Sequence, residues 1–234
     1  MTHLFCAKSI SKHFKNGNGQ VNVLKGIDLQ IKKGEFVGIF GKSGSGKSTL
    51  MNILSGIDTP SSGELWFGSD PIHTYDQTKL TKWRGDNVGI VFQFFQLLPT
   101  LTLLENIILP MEFSNKYTKK VRYERAMDLL TKLEIEKLAD KYPSSVSGGE
   151  QQRAAIARAL ANDPDIIFAD EPTGNLDSKT ADYVFRCFEK QVVDEGKTII
   201  MITHDITIKD RFMRSYTLSD GQIVKEASYE SIPS

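Results

Sequence analysis

Residues 41–48 read Gly41-Lys42-Ser43-Gly44-Ser45-Gly46-Lys47-Ser48. This stretch fits the pattern G-x-x-x-x-G-K-[ST], which is typical of a phosphate-binding loop. Its flanks fit the same structure, since Glu35–Phe40 is a short apolar run that predicts a buried parallel strand and Ser48–Leu54 has the apolar spacing of a helix. The sequence therefore predicts a strand, a glycine loop and a helix, in the order that phosphate binding requires.

The chemistry of such a loop is electrostatic. Glycines let the backbone turn tightly, so that several N–H groups converge on a phosphate at the positive end of a helix dipole. We expect Lys47 to reach the β- and γ-phosphates of a nucleotide and the Ser48 hydroxyl to ligate Mg²⁺. A glycine-rich turn without a ligand is the alternative. The predicted nucleotide-binding residues of the loop are Gly41, Lys42, Ser43, Gly44, Ser45, Gly46, Lys47, Ser48 and Thr49.

The composition sets the class of protein. With 234 residues, 40% hydrophobic and 25% charged, the chain suits one large domain or a core with an inserted subdomain. Its 29 basic and 29 acidic residues balance, which gives no overall electrostatic case for a nucleic-acid partner. Cys6 and Cys187 lack metal-type spacing and predict reduced, buried thiols in a cytosolic protein. Because no window approaches 18 apolar residues, a role at a membrane would need a second chain.

The order of predicted elements indicates an α/β fold. Helical spacing dominates from about Leu101 to Ala161, between segments with strand character. We expect one domain over residues 1–234, with a mainly parallel sheet, an antiparallel N-terminal β layer and a helical subdomain inserted at about residues 94–162. The predicted strands are Leu4–Ser9, Val21–Ile31, Glu35–Phe40, Glu64–Phe67, Val88–Phe92, Asp165–Ala169, Lys197–Thr203, Tyr216–Leu218 and Gln222–Val224.

A second acidic segment follows a buried strand. Asp165–Glu171 is an apolar run that ends in two carboxylates. A strand beside the phosphate loop can direct Asp170 at the hydration shell of Mg²⁺, and Glu171 is then placed to hold the attacking water. The alternative is a solvated, acidic strand end. Pro172–Asp177 follows directly, which favours the functional interpretation.

His204 comes immediately after another β-branched strand, Thr198–Thr203. An imidazole at the carboxyl end of a neighbouring strand can donate to the γ-phosphate and help to orient the water and Glu171. A histidine at a helix start, capped by Thr203 or Asp205, is the structural alternative. We predict Glu171, His204 and Lys47 as the catalytic residues.

Residues 147–153 begin a further helix. Ser147 and Glu150 fit the S-x-x-E capping box, which would explain a stable helix start. The box does not explain Gly148 and Gly149, because glycine lowers helix stability. A second bare helix N-terminus is expected if this segment also meets a phosphate.

Together these segments resemble the ATP-binding cassette (ABC) ATPases over essentially the whole chain. The resemblance implies a phosphate-loop, RecA-like core and a homodimer with two ATP molecules between its chains. It also implies that Ser147, Gly148, Gly149 and Glu150 contact the γ-phosphate of an ATP held by the other protomer. Asp177 would lie in the loop that crosses the interface. Phe14 would stack on adenine, with a packing role as the alternative.

The same resemblance assigns Gln93 as a mobile glutamine that touches Mg²⁺ and reports the nucleotide state to a membrane partner. The implied metal-binding set is then Ser48, Gln93 and Asp170. Residues 94–99 read Phe-Phe-Gln-Leu-Leu-Pro. They form an apolar loop where a coupling helix of the partner could dock, and the alternative is a loop that fills the core.

Three longer motifs are similar to the LolD/MacB-like ATPases, the group that drives FtsX-like permeases. They are Phe92-Gln93…Leu97-Leu98-Pro99…Leu101-Thr102…Glu105-Asn106, Ser147-Gly-Gly-Glu-Gln-Gln-Arg153 and Ala169-Asp-Glu-Pro-Thr-Gly-Asn-Leu-Asp177. The similarity implies export, lipoprotein release or peptide-antibiotic resistance, at the cytoplasmic face of the membrane through the permease. Gln96, Val146 and Phe14 depart from the residues usual in the group.

The resulting hypothesis is that ATP closes a homodimer, water held by Glu171 attacks the γ-phosphate, and opening of the dimer moves the permease. Two alternatives stay within the family: a regulator like the cell-division protein FtsE, and a non-transport ABC ATPase of translation or DNA repair. The latter chains usually carry two cassettes or added modules. A kinase or GTPase would not need Ser147–Glu150 or His204.

Overall fold

The computed structural model describes residues 3–17 and 19–229. Within them the chain forms nine strands and six α-helices, joined by turns and short 3₁₀ segments. The strands are β1 His3–Asn16, β2 Gly19–Lys32, β3 Phe36–Phe40, β4 Ser62–Phe67, β5 Val88–Val91, β6 Ile166–Asp170, β7 Thr198–Thr203, β8 Arg214–Ser219 and β9 Gln222–Ser228. The helices are α1 Lys47–Leu54, α2 Gln77–Asn87, α3 Leu103–Ser114, α4 Lys119–Lys132, α5 Gly148–Leu160 and α6 Ser178–Val193.

Two sheets organise the fold. The larger has the strand order β5-β6-β7-β3-β8-β9, with every neighbouring pair parallel except β8 and β9. The smaller sheet, β2-β1-β4, is antiparallel. Every residue of β3 and of β7 is buried, as expected for parallel strands covered on both faces. The predicted α/β class, with its parallel sheet and antiparallel N-terminal layer, is confirmed.

The central strands divide the core between two hydrophobic clusters. On β3, Phe36 and Phe40 point into one cluster while Val37 and Ile39 point into the other. This alternation follows from the two-residue period of a strand. The first cluster packs α3, α4, α5 and α6 on one face, and the second packs α1 and the small sheet on the other. Both faces of the sheet are thereby covered, and its carboxyl edge is left to carry polar residues.

The segment between β5 and β6 holds α3, α4 and α5. Leu103 and Met111 of α3, Leu130 of α4 and Ile156 of α5 are fully buried in the cluster that also contains the sheet residue Val91. The helices therefore share their core with the sheet. The subdomain boundary at residues 94–162 stays a prediction.

Helix α2 has no counterpart in the sequence prediction. Its eleven residues bury only Leu80 and Trp83, so they give little helical periodicity. The helix begins because the Asp76 side chain accepts a hydrogen bond from the Lys79 N–H. A local cap, rather than an apolar stripe, defines this helix.

The two cysteines differ in environment. Cys187 is buried, and this burial raises the pKa of its thiol to about 11. Cys6 is partly exposed, so the prediction of two buried thiols is wrong at this position. The reason is the alternation of β1, in which Phe5 and Ala7 face the core and Cys6 lies on the opposite side. No helix among the described residues combines the length and apolar character needed to span a bilayer.

Candidate nucleotide-binding site

The carboxyl ends of β3, β6 and β7 meet at one edge of the large sheet, where a cavity of about 830 Å³ opens. Edges of this kind are the usual ligand sites of parallel sheets. The cavity is lined by Val23, Lys42, Ser43, Gly44, Gly46, Lys47, Ser48, Thr49, Gln93, Asp170, Glu171 and His204. Eleven of these twelve residues were predicted from the sequence, and Val23 was not.

The glycine loop connects β3 to α1 in the predicted way. Gly46 has φ 102°, a backbone conformation that side-chain-bearing residues rarely adopt. A Cβ at Gly41 would lie 2.4 Å from the Leu218 carbonyl oxygen, so this position requires glycine for packing behind the loop. Helix α1 has no side-chain cap among the described residues. Its first N–H groups therefore face the cavity free to bind an anion.

Lys47 is the first residue of α1 and is buried. Its ammonium donates to the carbonyl oxygens of Gly41, at 2.8 Å, and Lys42, at 3.0 Å. The side chain thus folds back along the loop and places a positive charge at the floor of the cavity. This charge complements a phosphate group bound by the loop.

Asp170 ends β6 and lies beside α1. Its carboxylate lies close to the Ser48 hydroxyl. Burial raises the pKa of Asp170, and the neighbouring Glu171 adds to the effect, while Ser48 and Lys47 oppose it. A divalent cation would favour the ionised carboxylate. Asp170, the Ser48 hydroxyl and the Gln93 amide provide the oxygen ligands that Mg²⁺ prefers, so the residues fit this metal.

Glu171 and His204 form a contact pair. The imidazole Nδ1 of His204 lies 3.1 Å from the Glu171 carboxylate. Glu171 has φ 44°, an uncommon conformation for a non-glycine residue, and its N–H donates to the Ile202 carbonyl oxygen of β7. The main chain of the adjacent strand thus holds the turn that directs this carboxylate into the cavity. The predicted neighbourhood of Glu171 and His204 is observed.

Gln93 follows β5 and lines the same cavity. Its carbonyl oxygen accepts a hydrogen bond from the Asn175 amide at 3.3 Å. A Cβ at Gly174 would lie 3.4 Å from the Gln93 side-chain nitrogen and 3.7 Å from a Glu171 carboxylate oxygen. The loop before α6 therefore packs against the side chains of both Gln93 and Glu171. Sequence reasoning missed Asn175, whose signal was its place in the Pro172–Asp177 turn.

Comparison with known proteins agrees with this geometry. The family model described as ABC transporter matches residues 24–174. The chain belongs to this family. It is 44% identical over 222 residues to the uncharacterized ABC transporter ATP-binding protein MJ0796 of Methanocaldococcus jannaschii, with 94% of each chain covered. It is 40% identical over 216 residues to the lipoprotein-releasing system ATP-binding protein LolD of Francisella tularensis, covering 92% of this chain and 94% of LolD.

A solved structure of MJ0796 superposes on the chain with a TM-score of 0.90 at 42% identity, covering 97% of this chain and 99% of the other. It is described as a dimeric, post-hydrolysis state bound to ADP and Pi. The chain is therefore an ABC ATPase, the ATP-binding subunit of a transporter, and the expected ATP binding and hydrolysis are confirmed at the level of the family.

Several predicted residues of this ATPase lie outside the cavity. Gly41 and Ser45 are part of the loop but do not line it, and Ser45 is buried. Phe14 is on β1 with 44% of its surface exposed, and the Lys12 ammonium lies 5.1 Å from its ring centroid. One ring face is thus covered by a cation. Stacking of Phe14 on adenine stays a prediction.

The segment Ser147–Glu150 also lies outside the cavity, at the start of α5. The capping box is complete: Ser147 accepts from the Glu150 N–H, and the Glu150 carboxylate accepts from the Ser147 N–H at 2.7 Å. This bond lowers the pKa of Glu150. A Cβ at Gly149 would lie 2.4 Å from the Thr180 methyl group, which explains this glycine by packing. Gly148 has no comparable obstruction and stays consistent with the phosphate interpretation.

Asp177 caps α6, a role that sequence reasoning missed. Its carboxylate accepts from the N–H groups of Lys179 and Thr180. Hydrogen bonds from Thr180, first of all its hydroxyl, lower the pKa of Asp177. Because Thr180 also contacts Gly149, the start of α6 is packed directly against the start of α5. The two segments predicted to face a partner protomer form one continuous surface.

Proposed function

We propose that this ABC ATPase closes as a homodimer around two Mg²⁺-bound ATP molecules and drives a separate FtsX-like permease. The observation that carries the proposal is the division of the site residues between two places. The phosphate loop, Asp170, Glu171 and His204 share one cavity, whereas Ser147 and Asp177 lie outside it. A second copy of the chain would supply the second set. MJ0796, a relative of known structure, is described as dimeric.

Within the cavity, each side chain has a distinct task. The loop N–H groups and the Lys47 ammonium bind the β- and γ-phosphates and neutralise charge that develops during transfer. Glu171 orients the attacking water and accepts its proton, and His204 fixes the carboxylate and donates to the γ-phosphate. Ser48, Gln93 and Asp170 would hold Mg²⁺, which would neutralise negative charge on the phosphates during transfer.

The permease would bind beside Gln93. A groove of about 820 Å³ lies between α2 and the helices that follow β5. Phe113 is 81% exposed and Phe94 71% exposed, so the alternative of a loop that fills the core does not account for Phe94. Leu97, in contrast, packs against the core. Apolar residues of the groove include Ile90, Phe92, Pro110 and Phe113.

This groove suits an apolar helix of a membrane protein, as an exposed aromatic in a cleft favours an interface. The similarity to LolD, named for lipoprotein release, supports a permease of the FtsX-like class. Peptide-antibiotic resistance and export are the other roles expected for permeases of this class. The ATPase would then lie at the cytoplasmic face of the membrane. An FtsE-like regulator or a non-transport ABC ATPase is the competing assignment.

Affinity purification from detergent-solubilised membranes tests the proposal. We expect a permease with few spans and a large extracytoplasmic domain to accompany the parental chain. Phe113→Ser should lose the permease, while Val224→Ser, a matched change at an exposed apolar residue of β9, should retain it. Recovery with ribosomes or DNA and without a membrane protein would contradict the transport role. ATPase activity that is the same with and without the permease would favour the regulator.

A further inference from the structure

The loop after Gln93 has an unusual backbone. Phe95 has φ 55° and Gln96 has φ 50°, so two successive non-glycine residues adopt the left-handed conformation. Each such residue carries a conformational cost, and the conformation persists only where contacts with the surroundings offset that cost. Phe94 accepts a hydrogen bond from the Gln96 N–H within the turn. Contacts from outside the loop are needed to select this shape over others.

Arg158 of α5 makes those contacts. One end of its guanidinium donates to the Phe95 carbonyl oxygen at 2.8 Å, and the other donates to the Gln96 carbonyl oxygen. Both acceptors are main-chain oxygens, so the planar fork of arginine sets the orientation of two consecutive peptide groups. Arg158 is partly buried, and this burial lowers the pKa of its guanidinium. A desolvated charge of this kind strongly resists loss of its hydrogen bonds.

The same loop touches the other segments that lie outside the cavity. The end of the Phe95 ring lies 3.6 Å from the position of a Cβ on Gly148, and the Leu176 side chain lies 3.7 Å from that position. At the near end of the loop, Asn175 holds the Gln93 carbonyl oxygen. The loop is therefore held by α5 and by the segment before Asp177, and these are the elements assigned to the partner's ATP. Gln96 and Arg158 also line the groove.

We propose that Arg158 is a positioning residue that couples the movement of α5 to the shape of the groove through the carbonyl groups of Phe95 and Gln96. Closure on the second ATP would move α5 from its N-terminus, and the guanidinium fork would carry the loop with it. The inference rests on the proposed dimer and goes beyond it, since it assigns one side chain to the connection between the two surfaces.

Hydrogen–deuterium exchange of the full chain tests the coupling. In an E171Q background, Mg²⁺ and ATP are added and dimer formation is followed by size-exclusion chromatography. Arg158→Lys keeps the charge but loses the fork. Arg125→Lys is the matched control, because Arg125 also donates to two main-chain oxygens, those of Leu160 and Ala161, away from this loop.

We expect the parental and R125K chains to dimerise and to slow the exchange of amides 94–98 when ATP is added. R158K should dimerise, exchange these amides roughly tenfold faster, and lose the response to ATP. Equal behaviour of R158K and R125K would overturn the inference. A parental chain that stays monomeric with ATP would overturn the proposed dimer and the coupling that depends on it. Size-exclusion chromatography distinguishes this outcome from a failure of the coupling alone.

A double variant separates coupling from simple support of a strained loop. Gln96→Gly removes the conformational cost at this position, because glycine adopts positive φ freely. If Arg158 only supports the loop, the R158K/Q96G chain should regain the ATP-dependent change in exchange. If Arg158 couples the two surfaces, that change should stay lost although the loop is relaxed. Recovery of the ATP response in the double variant would overturn the proposal.

Discussion

Glu171 and His204 directly follow the neighbouring strands β6 and β7, and the imidazole Nδ1 of His204 lies 3.1 Å from the Glu171 carboxylate. The register of β6 and β7 places them together, since Asp170 pairs with Ile202 and the next N–H, that of Glu171, donates to the Ile202 carbonyl oxygen. The Glu171 side chain is 19% exposed and that of His204 63% exposed. A carboxylate held in this way by main chain and imidazole can orient one water molecule without reorganisation.

Glu171→Gln should abolish turnover while leaving nucleotide binding intact. The amide keeps the size of the side chain but cannot accept a proton from water, so we expect the rate to fall by about 10²- to 10⁴-fold. Phosphate release measures the loss, and size-exclusion chromatography with ATP should show the closed dimer accumulating. Glu64→Gln, an isosteric change at an exposed position, is the control. Hydrolysis by the Glu171 variant at the parental rate would refute the assignment of the base.

His204 should contribute through its contact with Glu171. His204→Ala removes this contact and the donor to the γ-phosphate, and we expect turnover to fall by about 10²-fold with little change in ATP affinity. His204→Asn keeps an N–H donor near the position of Nδ1 and should recover part of the rate. Steady-state kinetics should place the turnover rate of the asparagine variant between those of the alanine variant and the parent. An alanine variant as active as the parent would exclude a catalytic role.

Lys47 should be required for phosphate binding. Because its ammonium is the buried charge at the cavity floor, Lys47→Ala should weaken ATP binding by at least about tenfold and eliminate turnover. Lys42 is the natural control, since it lies in the same loop but is exposed. Fluorescent-nucleotide titration should show a much smaller loss for Lys42→Ala. Equal losses in the two variants would indicate a general effect of charge on the loop.

The parts of the fold that followed from the sequence are those with a strong local pattern. β3, β6 and β7 are buried apolar runs, and the glycine loop has a fixed spacing, so their type and order could be predicted. Helix α6, Ser178–Val193, has a wide apolar face, which is the pattern by which an amphipathic helix is identified in a sequence. Helix α2 was missed because it buries few residues and depends on the Asp76 cap.

Contacts between distant segments could not be predicted in this way. Arg158 and Gln96 are 62 positions apart, and Asn175 and Gln93 are 82 apart, so no local period connects them. Position 149 likewise requires glycine because the Thr180 side chain of another helix packs against it. Topology brings these groups together, whereas the sequence pattern reports only on each segment alone.

Substitution of Asp170 should have opposite effects on stability and on activity. Burial raises its pKa, so the folded chain binds the proton more tightly than the unfolded chain. Stability is then lost as the pH rises from the ordinary pKa to the raised one, and the full penalty applies at neutral pH. Asp170→Asn removes the charge and should raise the thermal midpoint by about 1–3 °C at neutral pH, with a smaller gain in mild acid.

The same variant should lose Mg²⁺-dependent turnover, since the amide is a poorer ligand than a carboxylate. Calorimetry without nucleotide, at neutral and acidic pH, measures the stability part, and phosphate release measures the activity part. Asp220→Asn, in the turn between β8 and β9, should change neither quantity. A lower midpoint for Asp170→Asn at neutral pH would show that the favourable influence of Ser48 and Lys47 on the carboxylate outweighs the cost of burial.

Substitution of Gly149 tests whether this glycine is required for packing or for phosphate binding. Gly149→Ala places a methyl group against the Thr180 side chain, which is held in place by its hydrogen bond to Asp177, and should destabilise the fold by about 1–3 kcal/mol. Thr180→Ser removes the obstructing methyl and keeps the hydroxyl that bonds Asp177. The double variant should therefore regain most of the stability, measured by chemical denaturation. If its turnover also recovers, packing alone explains the glycine; if turnover stays low, this helix start must approach the partner's phosphate as closely as the proposed dimer requires.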